Sequence, residues 1–469
     1  MKTEKVLLVE PAYPNKFPPL GLMKIATAHR LRGDEVTFCR GNNATLRDKN
    51  WDRIYITTLF TFHWNLAIGT INYYSKGKIK PLVGGVLASL LPEDLASETS
   101  IIPHVGPYTE KLPGLVEKVG LNNELSKIKD IVVDRGIDAL PPDYEMFHSI
   151  SVPYDTLLRN SYLLRTTRGC MRDCAFCGVK RMEPTYEERL PLAPLISYMT
   201  KKWGDRRNLI LLDDNVLFSK KFDSIVDELY DLGFKAGSKH NGHRRCVDFN
   251  QGLDIRLLTK RHLKKLSTIE LRPLRLAFDS YSLHETYTKK IMLAIDCGFK
   301  EISSYVLYNY NDTPSDLYNR LLIGCQINER YKSRIYSFPM KYIPCSSKDR
   351  HYISAYWTRR QIRGVQCILN ATHGIAPTKL DFFKRAFGDN EDRFLRIIQM
   401  PENYIIKRSE YLSSGQIGVW NKDYDSLSTS ERSEALHLIS GGKNRAPKSG
   451  TTKKINAFLC HYVDEYHNY

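Results

Sequence analysis

Residues 161–179 read SYLLRTTRGCMRDCAFCGV, an apolar strand followed at once by three closely spaced cysteines. Cys170, Cys174 and Cys177 form a Cys-x3-Cys-x2-Cys pattern, which lets one loop wrap a single centre of zinc or of iron and sulfur. Tetrahedral zinc needs a fourth cysteine or histidine, and the first histidine downstream is His240. Three thiolates on a four-iron cluster instead leave one iron open. The spacing therefore favours such a cluster, with a structural zinc loop or chance spacing as the alternative.

The same cysteine loop, with Phe176 just before its last cysteine, resembles the signature of the radical S-adenosylmethionine superfamily. The resemblance implies that Cys170, Cys174 and Cys177 hold a [4Fe–4S] cluster and that S-adenosylmethionine binds the open iron, with Phe176 beside the cofactors. It further implies reductive cleavage of the cosubstrate to a 5′-deoxyadenosyl radical. An external electron donor of the flavodoxin or ferredoxin type would then be a partner.

Polar side chains follow the apolar runs downstream of the loop, where the carboxyl ends of parallel strands would gather them. Asp213, Asp214 and Asn215 end the run LILLDDN, and the resemblance assigns them to the methionine moiety of the cosubstrate. Family members often carry Gly-Gly-Glu at this place. The Asp-Asp-Asn version is similar to the branch that has an N-terminal cobalamin-binding-like domain. Capping of a helix is the alternative role.

The next strand ends supply the remaining candidates for cosubstrate and substrate binding. In VDFNQGLDIRLL, Arg256 is a candidate for the cosubstrate carboxylate, and Gln251 or Asp254 for the ribose hydroxyls. A structural Arg-Asp pair is the alternative. Asp279 and Tyr308 lie at two later strand ends and are candidates for adenine or substrate contacts.

The segments PPLGLMKIATAHRLRGDEVTF and PLVGGVLASLLPEDLA resemble strand-helix units of cobalamin-binding domains. Gly84 and Gly85 would let a cofactor approach the backbone at the crevice of a doubly wound sheet. The Asp-x-His-x-x-Gly signature that supplies a histidine to cobalt is absent from the sequence after the first strand, which reads EPAYPNKFPPLG. Cobalamin bound without that histidine and a scaffold that has lost the cofactor are the two interpretations.

Alternation of strand and helix patterns predicts an α/β protein with four segments. They are a doubly wound, Rossmann-type and cobalamin-binding-like domain at 1–135, a linker at 136–160, a full or partial βα TIM-like barrel at 161–345, and a basic helical region at 346–469. Within the last segment, GGKNRAPKSGTTKK at 441–454 is predicted to be a mobile loop. The cysteines are unevenly spaced, unlike a secreted disulfide framework, and the amino terminus has no signal-peptide pattern. A cytoplasmic protein without a membrane partner is expected.

The net charge of +17 suggests a polyanionic partner and lies mostly after residue 150. Arg359, Arg360 and Arg363 stand beside Tyr356 and Trp357, a mixture that suits phosphates and stacked bases, with a solvated helix face as the alternative. The sequence therefore predicts radical-based modification of an unactivated carbon, with cobalamin-assisted methylation as one form and RNA or DNA as the leading substrate. A peptide or small metabolite without cobalamin is one alternative. A nucleic-acid-binding protein with a structural or redox-sensing metal loop is the other.

Overall fold

The computed structural model describes residues 2–148, 150–188, 190–440 and 451–467, so most of the predicted loop at 441–454 lies outside the described residues. The chain forms a mixture of helices and parallel strands, which confirms the predicted α/β class. It divides into two compact units. The first unit comprises Met1–Arg275 and Ile343–Tyr352, and the second comprises Leu276–Tyr342 and Ile353–Tyr469. The four segments drawn from the sequence stay a prediction about domain organisation.

The strands of the first unit are β1 (Lys5–Glu10), β2 (Glu35–Arg40), β3 (Arg53–Thr58), β4 (Leu82–Gly85), β5 (Ser161–Leu164), β6 (Asn208–Leu211), β7 (Lys239–His240), β8 (His243–Arg244) and β9 (Val247–Phe249). Its helices are α1 (Leu20–Arg32), α2 (Ala44–Arg47), α3 (Trp64–Tyr74), α4 (Val86–Leu90), α5 (Pro92–Thr99), α6 (Leu115–Gly120), α7 (Lys129–Arg135), α8 (Asp155–Asn160), α9 (Val179–Met182), α10 (Ala193–Trp203), α11 (Phe222–Leu229) and α12 (Lys260–Leu266).

Strand β10 (Leu274–Ala277) spans the boundary in sequence, and the second unit continues with β11 (Glu301–Tyr308) and β12 (Arg334–Lys341). Its helices are α13 (His284–Asp296), α14 (Pro314–Tyr331), α15 (Arg359–Ala371), α16 (Leu380–Phe387), α17 (Glu391–Ile397), α18 (Glu402–Ile406), α19 (Arg408–Ser413), α20 (Gln416–Ser426), α21 (Thr429–Ser440) and α22 (Lys453–Leu459).

The first sheet is parallel, with strand order β2-β1-β3-β4. Leu7 and Val9 of β1 pack in one hydrophobic core with residues of α3, α4 and α5. Val6 and Leu8, on the opposite face of the same strand, are also fully buried, and α1 packs on β1, β2 and β3. Helices therefore cover both faces of this sheet, as a doubly wound pattern requires.

The last residue of β1, Glu10, has a buried carboxyl group. Glu10 is 2% exposed and its Oε2 accepts a hydrogen bond of 2.9 Å from the Tyr154 hydroxyl, with Arg40 also beside it. Burial raises the pKa of Glu10 to about 7, although Tyr154 and Arg40 oppose the shift. Tyr154 belongs to the segment predicted as a linker, so this contact fixes that segment onto the sheet.

Glu10 makes the stability of the protein depend on pH. Because its pKa is raised on folding, the native state holds this proton more tightly, and the stabilisation present below pH 4.5 is lost as the pH rises through about 7. We expect Glu10→Gln to remove this slope, which amounts to roughly 3 kcal/mol between pH 4.5 and 8. Urea unfolding at both pH values measures it. An unchanged slope in the variant would contradict the assignment to Glu10.

A second parallel sheet, β5-β6-β9, carries the cysteine loop at the carboxyl end of its edge strand β5. A parallel bridge between Val247 and Leu271 extends its pairing beyond β9. The third sheet has the order β10-β11-β12, with β11 and β12 parallel. The described strands thus form two separate three-stranded sheets in the region predicted to be a barrel, and a full or partial barrel stays a prediction.

Helices α15 to α22 fill most of the carboxyl-terminal segment, and part of its basic cluster is buried. Thr358 and Gln361 form a capping box at the start of α15. Arg360 is 2% exposed, Arg363 pairs with Glu402, and Trp357 is buried. These three side chains hold α15 against its neighbours, while Tyr356 and Arg359 are exposed. A nucleic-acid partner stays a prediction. Among the described residues, no helix combines the length and apolar character that a membrane span needs.

Candidate functional site

The three cysteines lie on the loop that joins β5 to α9, and all three are half-buried free thiols. Backbone amides already point at two of the sulfur atoms. The Arg172 amide donates to Cys170 Sγ over 3.4 Å, and the Val179 amide donates to Cys177 Sγ over 3.5 Å. Burial raises the pKa of the Cys177 thiol to about 11. A metal centre would have to displace that proton, as thiolate ligation always does.

Asp213 binds the segment that precedes the cysteines. It is 2% exposed, and its carboxylate accepts hydrogen bonds from the backbone amides and hydroxyls of both Thr166 and Thr167. Burial raises the pKa of Asp213, while these hydrogen bonds oppose the shift. Asp213 thus fixes the approach of the chain to Cys170, a positioning role that differs from the predicted contact with the methionine moiety.

Asp214 lies beside the amino end of the cysteine loop. Its Oδ2 accepts a hydrogen bond of 3.1 Å from the Gly169 amide, which also donates to Glu183 over 2.9 Å. Burial, together with the neighbouring Glu183 carboxylate, raises the pKa of Asp214 to about 7. The two carboxyl groups share one amide, so they hold the residue before Cys170 from two sides.

Asn215 is buried directly beside the first cysteine of the loop. Its Nδ2 donates to Cys170 Sγ over 3.8 Å, and the residue is 4% exposed. Its Oδ1 is buried and has no hydrogen-bond partner among the described residues. A buried carbonyl oxygen without a donor is costly, and an ammonium group would satisfy it. The residues present therefore fit a [4Fe–4S] cluster with S-adenosylmethionine beside Cys170.

Asp254 and Arg256 form the ion pair that the sequence left as an alternative. Arg256 Nε and Nη2 bind the two carboxylate oxygens of Asp254 at 2.7 and 2.9 Å, and Arg172 Nε binds Oδ2 at 2.6 Å. Burial disfavours the charge, yet the Arg256 and Arg172 hydrogen bonds hold the pKa of Asp254 below its usual value. Asp254 raises the pKa of Arg256, and the nearby Cys174 adds to the shift. Gln251 is exposed on the preceding turn.

Phe176, Asp279 and Tyr308 are the remaining predicted site residues. Phe176 is half-buried, and its carbonyl oxygen lies 4.0 Å from Cys345 Sγ. Asp279 and Tyr308 belong to the second unit, where Tyr308 is buried against Trp357. Their roles toward adenine or substrate stay predictions.

A cavity of about 540 Å³ lies at the carboxyl end of β3 and β4. Its wall includes Gly84 and Gly85, apolar side chains of α1, and the charged groups of Asp138, Arg165 and Glu183. Its size is in the range of small-molecule sites, and it would enclose only part of a ligand as large as a corrinoid. Glu183 also binds the Gly169 amide, so the cavity adjoins the cysteine loop. His104 in the wall is already hydrogen-bonded to the Pro107 carbonyl.

The two glycines at the end of β4 are not equivalent. Gly85 has a φ of +107°, and a Cβ there would lie 2.3 Å from the Thr58 carbonyl oxygen. A Cβ at Gly84 would meet only His104, at 3.8 Å. We expect Gly85→Ala to lower the free energy of unfolding by roughly 2–4 kcal/mol and Gly84→Ala by less than about 1 kcal/mol. Urea unfolding of both variants tests this, and equal losses would contradict it.

Two solved structures are similar to this chain. The radical S-adenosylmethionine methyltransferase TsrM from Kitasatospora setae, with cobalamin and a [4Fe-4S] cluster bound, has a TM-score of 0.48 and 14% identity, covering 72% of this chain and 75% of its own. TsrM with tryptophan substrate and the analogue aza-SAM has a TM-score of 0.49 and 14% identity, covering 73% of each chain. No family model matches the sequence, and no curated protein matches it.

Sequence reasoning missed a buried charge network next to the cysteine loop. Asp138 binds Lys24 at 3.1 Å and Arg165 at 2.8 Å, and it also pairs with Arg168. Glu183 binds Arg165 and Arg168 at 3.2 and 3.3 Å. Burial lowers the pKa of Lys24 to about 8, with Asp138 opposing. The available signal was two arginines directly after a buried strand, because buried cations require carboxylate partners.

Proposed function

We propose that this protein is a radical S-adenosylmethionine enzyme that modifies an unactivated carbon, with methylation as the first candidate reaction. The observation that carries the proposal is the loop of Cys170, Cys174 and Cys177 at the carboxyl end of a parallel sheet. Beside it lies the buried Asn215 Oδ1, which has no hydrogen-bond partner among the residues that the structure describes. When bound, the [4Fe–4S] cluster and S-adenosylmethionine would supply a 5′-deoxyadenosyl radical on reduction by an external donor.

The chain's own residues have three tasks in this proposal. Asp213 holds the segment before the loop through Thr166 and Thr167, so the first cysteine is presented from a rigid strand end. Asn215 Oδ1 would accept a hydrogen bond from the ammonium group of the cosubstrate. Arg256 is engaged with Asp254, so the cosubstrate carboxylate would share that guanidinium with an existing ion pair. The fixed positions lower the entropy cost of bringing the reacting groups together.

A corrinoid is the second cofactor of the proposal, bound in part by the cavity at Gly84 and Gly85. Two features support it: the cavity has apolar walls with a few charged groups, and Glu183 joins its wall to the cysteine loop. Cobalt would receive no histidine of the Asp-x-His-x-x-Gly type from this sequence. Anaerobic loading with hydroxocobalamin followed by gel filtration tests this. A protein fraction without the visible corrin spectrum would leave the first sheet as a scaffold.

Anaerobic reconstitution with iron and sulfide tests the enzyme itself. The proposal predicts about four irons per chain and release of 5′-deoxyadenosine on reduction with S-adenosylmethionine. A chain that takes up one zinc and releases no 5′-deoxyadenosine would instead support the metal-loop binding protein. Deuterium-labelled cosubstrate incubated with cell RNA, DNA and peptide pools then identifies the substrate by mass spectrometry. A nucleic acid stays a prediction from net charge alone, since α15 buries Arg360 and pairs Arg363.

A further inference from the structure

The sulfur atoms of the cysteine loop differ in the donors that surround them. Cys170 Sγ accepts from the Arg172 amide over 3.4 Å and from Asn215 Nδ2 over 3.8 Å. Cys174 lies within electrostatic range of the Arg256 guanidinium, which Asp254 holds in place. The donor to Cys177 is the Val179 amide. Asn215 and Arg256 follow different strands, β6 and β9, of the β5-β6-β9 sheet.

We infer that Asn215 and Arg256 are positioning residues that set the reduction potential of the cluster. This inference rests on the proposed function. Reduction adds one electron to the cluster, and the negative charge spreads onto its sulfur ligands. Donors to those sulfurs, and a nearby cation, stabilise the reduced form and raise the potential. Both side chains act through a cysteine and do not ligate iron.

Neighbouring residues hold both side chains in place. Arg256 is held by a bidentate pair with Asp254, and Asp254 also binds Arg172 from within the cysteine loop. The guanidinium therefore cannot move away from the loop without breaking its ion pair with Asp254. Asn215 is buried, and its amide nitrogen is directed to Cys170. Side chains that are already in place stabilise the added charge without a free-energy cost of reorientation.

The test is a potentiometric titration of the reconstituted full chain without S-adenosylmethionine, followed by the electron paramagnetic resonance signal of the reduced cluster. We expect Asn215→Leu and Arg256→Gln each to make reduction about tenfold less favourable, a shift of about 60 mV to lower potential. Arg256→Lys, which keeps the charge but not the paired fork, should lie between Gln and wild type.

Two matched variants serve as controls. Asn208→Leu changes the asparagine at the amino end of β6, whose side chain accepts from the Cys246 amide. Arg261→Gln removes an exposed arginine paired with Asp223. Both should keep the wild-type potential. Loaded Asn215 and Arg256 variants with wild-type potentials would overturn this inference alone. A wild-type chain that assembles no cluster would overturn the proposed function and this inference together.

Discussion

Alanine at any one of Cys170, Cys174 or Cys177 should abolish the cluster and with it the release of 5′-deoxyadenosine. A four-iron cluster held by three thiolates cannot tolerate the loss of a ligand, so the iron content should fall from about four per chain to below one. Iron analysis, the visible absorption of the anaerobically reconstituted protein, and chromatography of the reaction products measure the effect.

The matched control for these variants is Cys246→Ala. Cys246 is also a half-buried free thiol of the first unit, and it lies directly before β9, away from the cysteine loop in sequence. Its replacement should leave both iron content and product release at the wild-type level. Full turnover in any of the three loop variants would refute the proposed cluster.

Asp213→Ala should cause the largest loss of stability of any single change at the site. The variant leaves the amides of Thr166 and Thr167 buried without an acceptor, and it deletes the group that both hydroxyls bind. We expect the free energy of unfolding of the apo protein to fall by roughly 3 kcal/mol or more. Urea unfolding of the apo protein measures this change.

The control for Asp213 lies within the cysteine loop. Asp173 is exposed between Cys170 and Cys174, so Asp173→Ala should change the stability by no more than about 0.5 kcal/mol. The Asp213 variant should also retain less iron than this control after gel filtration, because the loop would lose its anchor. Equal stability of the two variants would show that Asp213 does not hold the loop.

The sequence was enough to predict the cysteine loop and the parallel strands that flank it. Cysteine spacing is local, and the alternation of apolar strands and helices survives in any single chain. It was also enough to place Asp213, Asp214 and Asn215 at one strand end. It did not reveal which of the three faces the loop and which faces the site, since adjacent residues after a strand point in different directions.

Contacts between distant residues account for what sequence reasoning missed. Asp138 meets Arg165 and Lys24 across 27 and 114 residues, and no local pattern encodes such pairs. The helix α15 gives the converse lesson. Its basic residues suggested a surface, but Arg363 binds a carboxylate 39 positions away and Arg360 is buried. A sequence shows which side chains are charged, but it does not show whether each is paired within the protein or with a ligand.

The division of the chain into units has a practical consequence for dissecting it. The polypeptide leaves the first unit after Arg275, returns for Ile343–Tyr352, and leaves again. That returning decapeptide brings Cys345 to the cysteine loop. A stop codon after residue 345 would therefore remove Ile353–Tyr469, which holds most of the helices of the second unit. Only Leu276–Tyr342, about a third of that unit, would be left. Fragments for expression should therefore keep every segment in which the chain passes from one unit to the other.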